Sequence, residues 1–249
     1  MYRCIILLLV SVFPACILSQ MPVKMMTYNI HAGVGNDTIR DLPRIAGVIN
    51  GENPDVVAIQ ETDSLTVRSG KVYQLGELAS LTGMKPYFAP AIDFDGGKYG
   101  IGILSKEEPI AVKRIALPGR EEARVLIVAE YPEYLFCCTH LSLSEPDRIA
   151  SAIIINGLAE VTDKPIFLAG DLNSTPDDGV IGILSRQFRM LTDRFTPTYP
   201  SDNPAETLDY VMVANGQSVT SGASVLNEPE ASDHRPVSVN VYLTTKNEQ

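Results

Sequence analysis

At 249 residues, with 45% apolar side chains, the chain has the length for one large domain or two small ones and a composition ordinary for a globular protein. Its formal net charge of -10, without any block of Lys and Arg, disfavours the basic face with which proteins grip long nucleic acids. An anionic substrate would therefore need a bound cation or local Arg and Lys.

The first twenty residues differ in kind. Met1-Tyr2-Arg3 carries one positive charge, and Cys4 to Val12 is almost continuously apolar. That run is too short to span a bilayer as a helix of about 20 residues. It fits the hydrophobic region of a secretory signal, which divides the chain into a signal peptide, 1–20, and one domain, 21–249. The protein is expected to be secreted or periplasmic, with cleavage near Ser19-Gln20. Ala15-Cys16 also resembles a lipoprotein cleavage site, which would anchor the chain by lipid at Cys16, although Phe13 and Pro14 fit that pattern poorly. The alternative is a buried N-terminal helix. No transmembrane helix is expected in the mature chain.

Pro22 to His31 predicts a first strand on which Asn29 and His31 share a face. Asn36-Asp37 predicts the cap of a helix with Ile39, Leu42, Ile45, Ala46 and Ile49 on one side, ended by Gly51 and Pro54. Asp55 to Glu61 predicts a strand covered on both faces, because Val56 to Ile59 is unbroken apolar sequence. A helix over Lys71 to Leu81, a short strand at Tyr87 to Pro90, a turn at Phe94 to Lys98 and a strand from Tyr99 to Ser105 follow.

Ile110 to Leu117, Ala123 to Glu130 and Tyr134 to Leu141 predict an antiparallel meander. Cys137 and Cys138 are neighbours in its last strand. They should point to opposite faces as buried free thiols. Ser144 predicts the cap of a helix opening with Glu145-Pro146-Asp147. Pro165 to Leu168 then leads into Ala169-Gly170-Asp171-Leu172-Asn173. In an extended chain Asp171 and Asn173 would share a face at the strand's carboxyl end. A short helix near Asp177 to Leu184, a loop from Gln187 to Pro204, and strands at Thr207 to Val213, Gln217 to Leu226 and Val237 to Leu243 complete the chain. Lys246 to Gln249 is expected to be a mobile tail. Many strands with few helices predict two packed sheets with helices outside.

Polar groups close six separated segments: Asn29, Glu61, His140, Asp171 with Asn173, Asp209, and Asp233 with His234. Each alone reads as an ordinary turn or cap residue. Together, Thr27-Tyr28-Asn29-Ile30, Ile59-Gln60-Glu61, Thr139-His140-Leu141, Gly170-Asp171-Leu172-Asn173, Leu208-Asp209-Tyr210-Val211 and Ser232-Asp233-His234-Arg235-Pro236 resemble the ordered motifs of the endonuclease/exonuclease/phosphatase superfamily, the deoxyribonuclease-I-like phosphoesterases. The resemblance covers residues 22 to 243. It implies a four-layer α/β/β/α sandwich in the α/β class, dependence on Mg²⁺ or Mn²⁺, and hydrolysis of a phosphate ester or diester.

The chemistry agrees with the resemblance. Attack of water on a phosphate ester needs phosphoryl charge neutralised, a water deprotonated and a leaving alkoxide stabilised. Glu61 is the best metal ligand by type and position, with Asn29 helping and Asp233 as a further metal or water ligand. Asp171 would orient or deprotonate water, and Asn173 would contact the phosphate. The resemblance implies that His234 pairs with Asp209 and that His140 faces the phosphate from the other side. His31 either borders the site as a substrate contact or is a solvent-exposed loop residue. Arg124 either reaches a substrate phosphate or forms a surface ion pair with Glu121 or Glu122. Tyr99 is placed with these as a substrate contact. It precedes Ile101-Gly102, where many relatives have an Asn-Ala pair, so one polar contact typical of nucleases is missing.

The family spans nucleases, sphingomyelinases, inositol-polyphosphate phosphatases and a lipid-anchor-remodelling-like branch. Asn29 to Gly33 and Lys98-Tyr99-Gly100 resemble the last of these. The expected activity is a secreted, monomeric phosphodiesterase for a small or lipid-linked substrate. The alternatives are an extracellular nuclease for DNA or RNA and a catalytically inactive binder of phosphate-bearing ligands.

Overall fold

The computed structural model describes residues 22–215 and 219–243. The signal-like segment with Cys16 and the predicted tail at 246–249 lie outside the described residues. In chain order the strands are β1 (Val23–Asn29), β2 (Val56–Ser64), β3 (Lys85–Phe94), β4 (Gly97–Ser105), β5 (Ala111–Leu117), β6 (Arg124–Glu130), β7 (Leu135–His140), β8 (Ile166–Asp171), β9 (Arg189–Met190), β10 (Asp209–Ala214), β11 (Val219–Val225) and β12 (Val237–Leu243). The helices are α1 (Leu42–Glu52), α2 (Gln74–Thr82), α3 (Glu145–Asn156) and α4 (Gly179–Leu184).

The strands form two six-stranded mixed sheets, ordered β11-β12-β1-β2-β4-β3 and β5-β6-β7-β8-β10-β9. Alternation along the strands separates three apolar layers. Val56 and Ala58 of β2 meet Phe136, Cys138 and Phe167 between the sheets. Val57 and Ile59 turn outward under α1 and α2, while Cys137 turns outward under α3 and α4. The fold is thus the expected four-layer α/β/β/α sandwich. The two cysteines lie on opposite faces as free, buried thiols. Each fully buried large side chain such as Phe136 contributes about 1.5–3 kcal/mol of hydrophobic stabilisation.

Two local expectations are corrected. Helix α1 does not start from Asn36-Asp37. Its cap is Asp41, whose carboxylate accepts from the Arg44 backbone N at 2.9 Å. Asp37 instead accepts from the Ile39 backbone N and from both terminal nitrogens of the Arg44 guanidinium, and Ile39 is exposed. The predicted loop after Gln187 contains the two-residue strand β9, paired with β10.

Gly102 has a packing reason. A Cβ there would lie 2.4 Å from the Leu75 side chain, so glycine lets α2 approach the sheet. Neighbouring Ile101 packs between the sheets.

Register positions the site. Strands β1 and β2 run parallel, with Asn29 opposite Gln60. Strands β7 and β8 also run parallel, with His140 opposite Asp171. The antiparallel β10 begins with Asp209, opposite Asp171. Polar strand ends from both sheets therefore gather at one edge of the sandwich. Among the described residues no helix is long and apolar enough to cross a membrane.

Candidate active site

Asp171 is the centre of the gathered edge. It is the last residue of β8, buried, and its Oδ2 accepts from Asn29 Nδ2 across the two sheets at 3.1 Å. The same oxygen lies 3.6 Å from His140 Nε2 and 3.7 Å from His234 Nε2. Its other oxygen accepts from the Asn173 backbone N at 2.8 Å. Burial raises the Asp171 pKa, as does Asp209, against the opposing pull of His140, His234 and the Asn173 N–H.

His234 comes from the loop between β11 and β12. Its Nδ1 meets Asp209 Oδ2 at 2.9 Å, and the ring packs at a tilt of 39° against Tyr199 with centroids 4.7 Å apart. Burial pulls its pKa down, but the Asp209 carboxylate and hydrogen bond, with Asp171 and Asp233 beyond, raise it to about 10. Among the described residues His140 has no such partner at hydrogen-bond distance, with Asp171 Oδ2 at 3.6 Å. Burial, with Arg124 and His234 adding to it and Asp171 opposing, lowers its pKa to about 4. At neutral pH the two imidazoles flanking Asp171 thus differ in charge: His234 is protonated and His140 is neutral.

Glu61 reaches the site through an irregularity. Strand β2 shifts register against β4 between Ile59 and Thr62, and Glu61 takes a left-handed backbone with φ of 56°. Its Oε1 accepts from Asn29 Nδ2 at 3.0 Å. Asn29 therefore bridges Glu61 and Asp171, and its backbone carbonyl accepts from Ser232 Oγ at 2.7 Å. Glu61 and Asp171 offer carboxylate oxygens, the donor set that suits a hard cation such as Mg²⁺ or Mn²⁺. Asn29 turns its Nδ2 to both and its Oδ1 to the His31 backbone N at 3.1 Å, and would add its oxygen to that set on turning its amide over. A second group, Asp171, Asp209 and His234, brings ligand atoms within 4.8 Å of one another. Ligation through His234 Nε2 would leave its Nδ1 bond to Asp209 but would displace the Nε2 proton that the neighbouring carboxylates hold on the ring, so the oxygen set fits a hard cation better.

Three expectations change in detail. His31 does not continue β1, which ends at Asn29. A left-handed turn with φ of 47° at His31 carries it sideways. There its Nδ1 lies 3.7 Å from Asp233 Oδ1. Asn173 does not lie along an extended strand with Asp171, because β8 ends at Asp171 and Asn173 has φ of 47°. Its side-chain N donates to the Leu141 carbonyl at 2.8 Å. Arg124 pairs with Glu122 at 3.0 Å, as one alternative held, but the pair is set into the wall, not on the surface.

Tyr99 is buried beside this pair, and burial followed by Glu61 pushes its phenol far up. Sequence reasoning missed Tyr199, and it named Ser232 within a motif and Glu122 as an ion-pair partner of Arg124 without giving either a place in the site. Tyr199 and Ser232 reach their partners through loops, and no strand periodicity marks them.

Residues 26–234 match the family described as the Endonuclease/Exonuclease/phosphatase family. Among solved structures, the endonuclease/exonuclease/phosphatase from Beutenbergia cavernae is 22% identical, with a TM-score of 0.71 over 90% of this chain and 72% of that one. The mannosyl-6-phosphatase of Bacteroides thetaiotaomicron is 17% identical, with a TM-score of 0.72 over 89% of this chain and 100% of that one. The human Nocturnin catalytic domain with bound sulfate is 17% identical, with a TM-score of 0.68 over 90% and 95%. At these identities the likeness is one of fold.

Proposed function

Because the chain belongs to the Endonuclease/Exonuclease/phosphatase family, a family of metal-dependent phosphoesterases and nucleases, we propose that it hydrolyses a small or lipid-linked phosphodiester. The observation that carries this reading is the meeting of Asn29 Nδ2, His140 Nε2 and His234 Nε2 around Asp171 Oδ2. A carboxylate flanked by one neutral and one charged imidazole is equipped to take a proton and to return one.

Glu61 and Asn29 would hold Mg²⁺ or Mn²⁺, with Asp233 as a further oxygen ligand. Held there, the cation would act as a Lewis acid on the phosphoryl oxygens. Asp171 orients a water and takes its proton as the water oxygen bonds to phosphorus. The bond from phosphorus to the leaving oxygen breaks, and protonated His234 returns a proton to that oxygen. The products are an alcohol and a phosphomonoester. Asp209 fixes the tautomer and charge of His234. His140, neutral, donates its N–H to a phosphoryl oxygen from the opposite side. Arg124, Tyr99, Asn173 and His31 line the approach as substrate contacts.

The net charge of -10 supports a small or lipid-linked substrate over a long nucleic acid. The N-terminal segment supports secretion or periplasmic placement, with residues 1–20 removed or Cys16 lipidated, and a monomeric domain over 21–249. Parallel assays on plasmid DNA, sphingomyelin and phosphoinositides test the substrate class. Turnover of a lipid-linked or small diester is expected, whereas efficient DNA nicking at physiological salt would overturn that preference.

A further inference from the structure

The β5–β6 loop reaches the site and is pinned from two sides. Arg120 donates from its backbone N and its guanidinium to Asp147 of α3, at 2.8 to 3.2 Å. Glu121 accepts from Ser142 Oγ at 2.9 Å. The loop also needs glycine at 119, where a Cβ would lie 2.0 Å from the Glu122 carbonyl oxygen. So fixed, the loop delivers Glu122 and Arg124 to a small cleft shared with Tyr99, Gly100 and His140.

The two charged side chains do not satisfy each other. Arg124 Nη1 lies 3.0 Å from Glu122 Oε1, yet Arg124 Nε and Glu122 Oε1 are both buried without a hydrogen bond among the described residues. Arg124 is only 8% exposed. Arg124 Nε is closed to solvent, so what the pair presents at the cleft wall beside His140 is its charge. Burial raises the Glu122 pKa, and Glu61 adds to this against the pull of Arg124 and Arg68.

Resting on the phosphoesterase reading above, we propose that Glu122 is a specificity-determining residue that offsets the charge of Arg124, so that the site beside this cleft takes a singly charged phosphodiester in preference to a doubly charged phosphomonoester. Arg124 attracts either phosphoryl group. Glu122 repels each in proportion to its charge, and a monoester carries about twice the charge of a diester near neutral pH. Removing the Glu122 charge lifts that selection without removing Arg124.

Binding of inorganic phosphate, followed by calorimetry at fixed Mg²⁺ and again without metal, tests the idea separately from turnover. Glu122→Gln should tighten phosphate binding on the order of tenfold. It should also raise kcat/KM for p-nitrophenyl phosphate relative to bis-p-nitrophenyl phosphate. Arg124→Gln added to Glu122→Gln should erase both gains. If the Gln variant does not fold, Glu122→Asp, which withdraws the carboxylate by one methylene, should shift both readouts in the same direction. Phosphate binding no tighter than in the unsubstituted chain, or a gain that survives loss of Arg124, would overturn the proposal. Absence of turnover with both esters would instead sink the phosphoesterase reading, while tightened phosphate binding would still support the role of Glu122.

Discussion

Asp209 Oδ2 and His234 Nδ1 lie 2.9 Å apart, both side chains buried, and this pair turns the second ring nitrogen of His234 toward Asp171. The His234 pKa of about 10 lies above the ordinary imidazole value of about 6.5. Over that interval the folded chain holds a proton that the unfolded chain has released. The stabilisation is full below about pH 6.5 and is lost as pH rises through about 10. Melting temperature measured across this window should fall in the unsubstituted chain and fall less in Asp209→Asn. Superimposable profiles would contradict the pairing.

His140 gives the opposite dependence. Its pKa of about 4 means that the folded chain binds fewer protons than the unfolded chain between about pH 4 and 6.5. The contribution is intact above that window and declines as pH falls through it. His140→Gln should flatten this part of the acid limb of a melting profile, and NMR should place the His140 imidazole transition near pH 4. A transition at the ordinary imidazole value would show that His140 is not desolvated as described.

Gly170 ties the fold to the chemistry. Its φ is 155°, and a Cβ would sit 2.1 Å from the Thr139 carbonyl oxygen of the neighbouring strand. Gly170→Ala must push β8 away from β7, the pair that sets His140 opposite Asp171. A destabilisation of about 2 kcal/mol or more is expected in denaturant unfolding, together with lost turnover. A variant as stable and active as the unsubstituted chain would be inconsistent with this packing.

Glu61→Gln removes the most accessible carboxylate of the oxygen set and should weaken Mn²⁺ binding by about tenfold or more, as measured by calorimetry. The melting temperature without metal should change little, because Glu61 lies at the bulge and, among the described residues, its carboxylate accepts one hydrogen bond, from Asn29. Unchanged Mn²⁺ affinity would place the cation elsewhere, with the Asp171, Asp209 and His234 group the next candidate.

Much of this arrangement was legible before the structure, for a specific reason. Buried strands announce themselves as apolar runs, and a polar residue closing such a run lies at a sheet edge. Asn29, His140 and Asp171 close their strands in this way, while Asp209 opens the antiparallel β10. Strand periodicity failed where the backbone leaves the extended region. His31 and Asn173 each follow a strand end in a left-handed conformation, so spacing of two no longer sets their direction. The start of α1 was obscured because Asp37 and Asp41 are both competent caps, and the guanidinium of Arg44 claims the first. Tyr199 on His234, and Ser232 on Asn29, are contacts between loops and distant segments. Only the closed fold brings those pairs together.

The measurement that bears most directly on the whole account is hydrolysis of bis-p-nitrophenyl phosphate with Mg²⁺ or Mn²⁺, with and without chelator, by the unsubstituted chain, Asp171→Asn and His234→Ala. The account predicts turnover that chelator abolishes and that each substitution lowers by about 100-fold or more, in variants that still melt cooperatively. Metal-independent turnover, or near-unchanged rates in either folded variant, would contradict it.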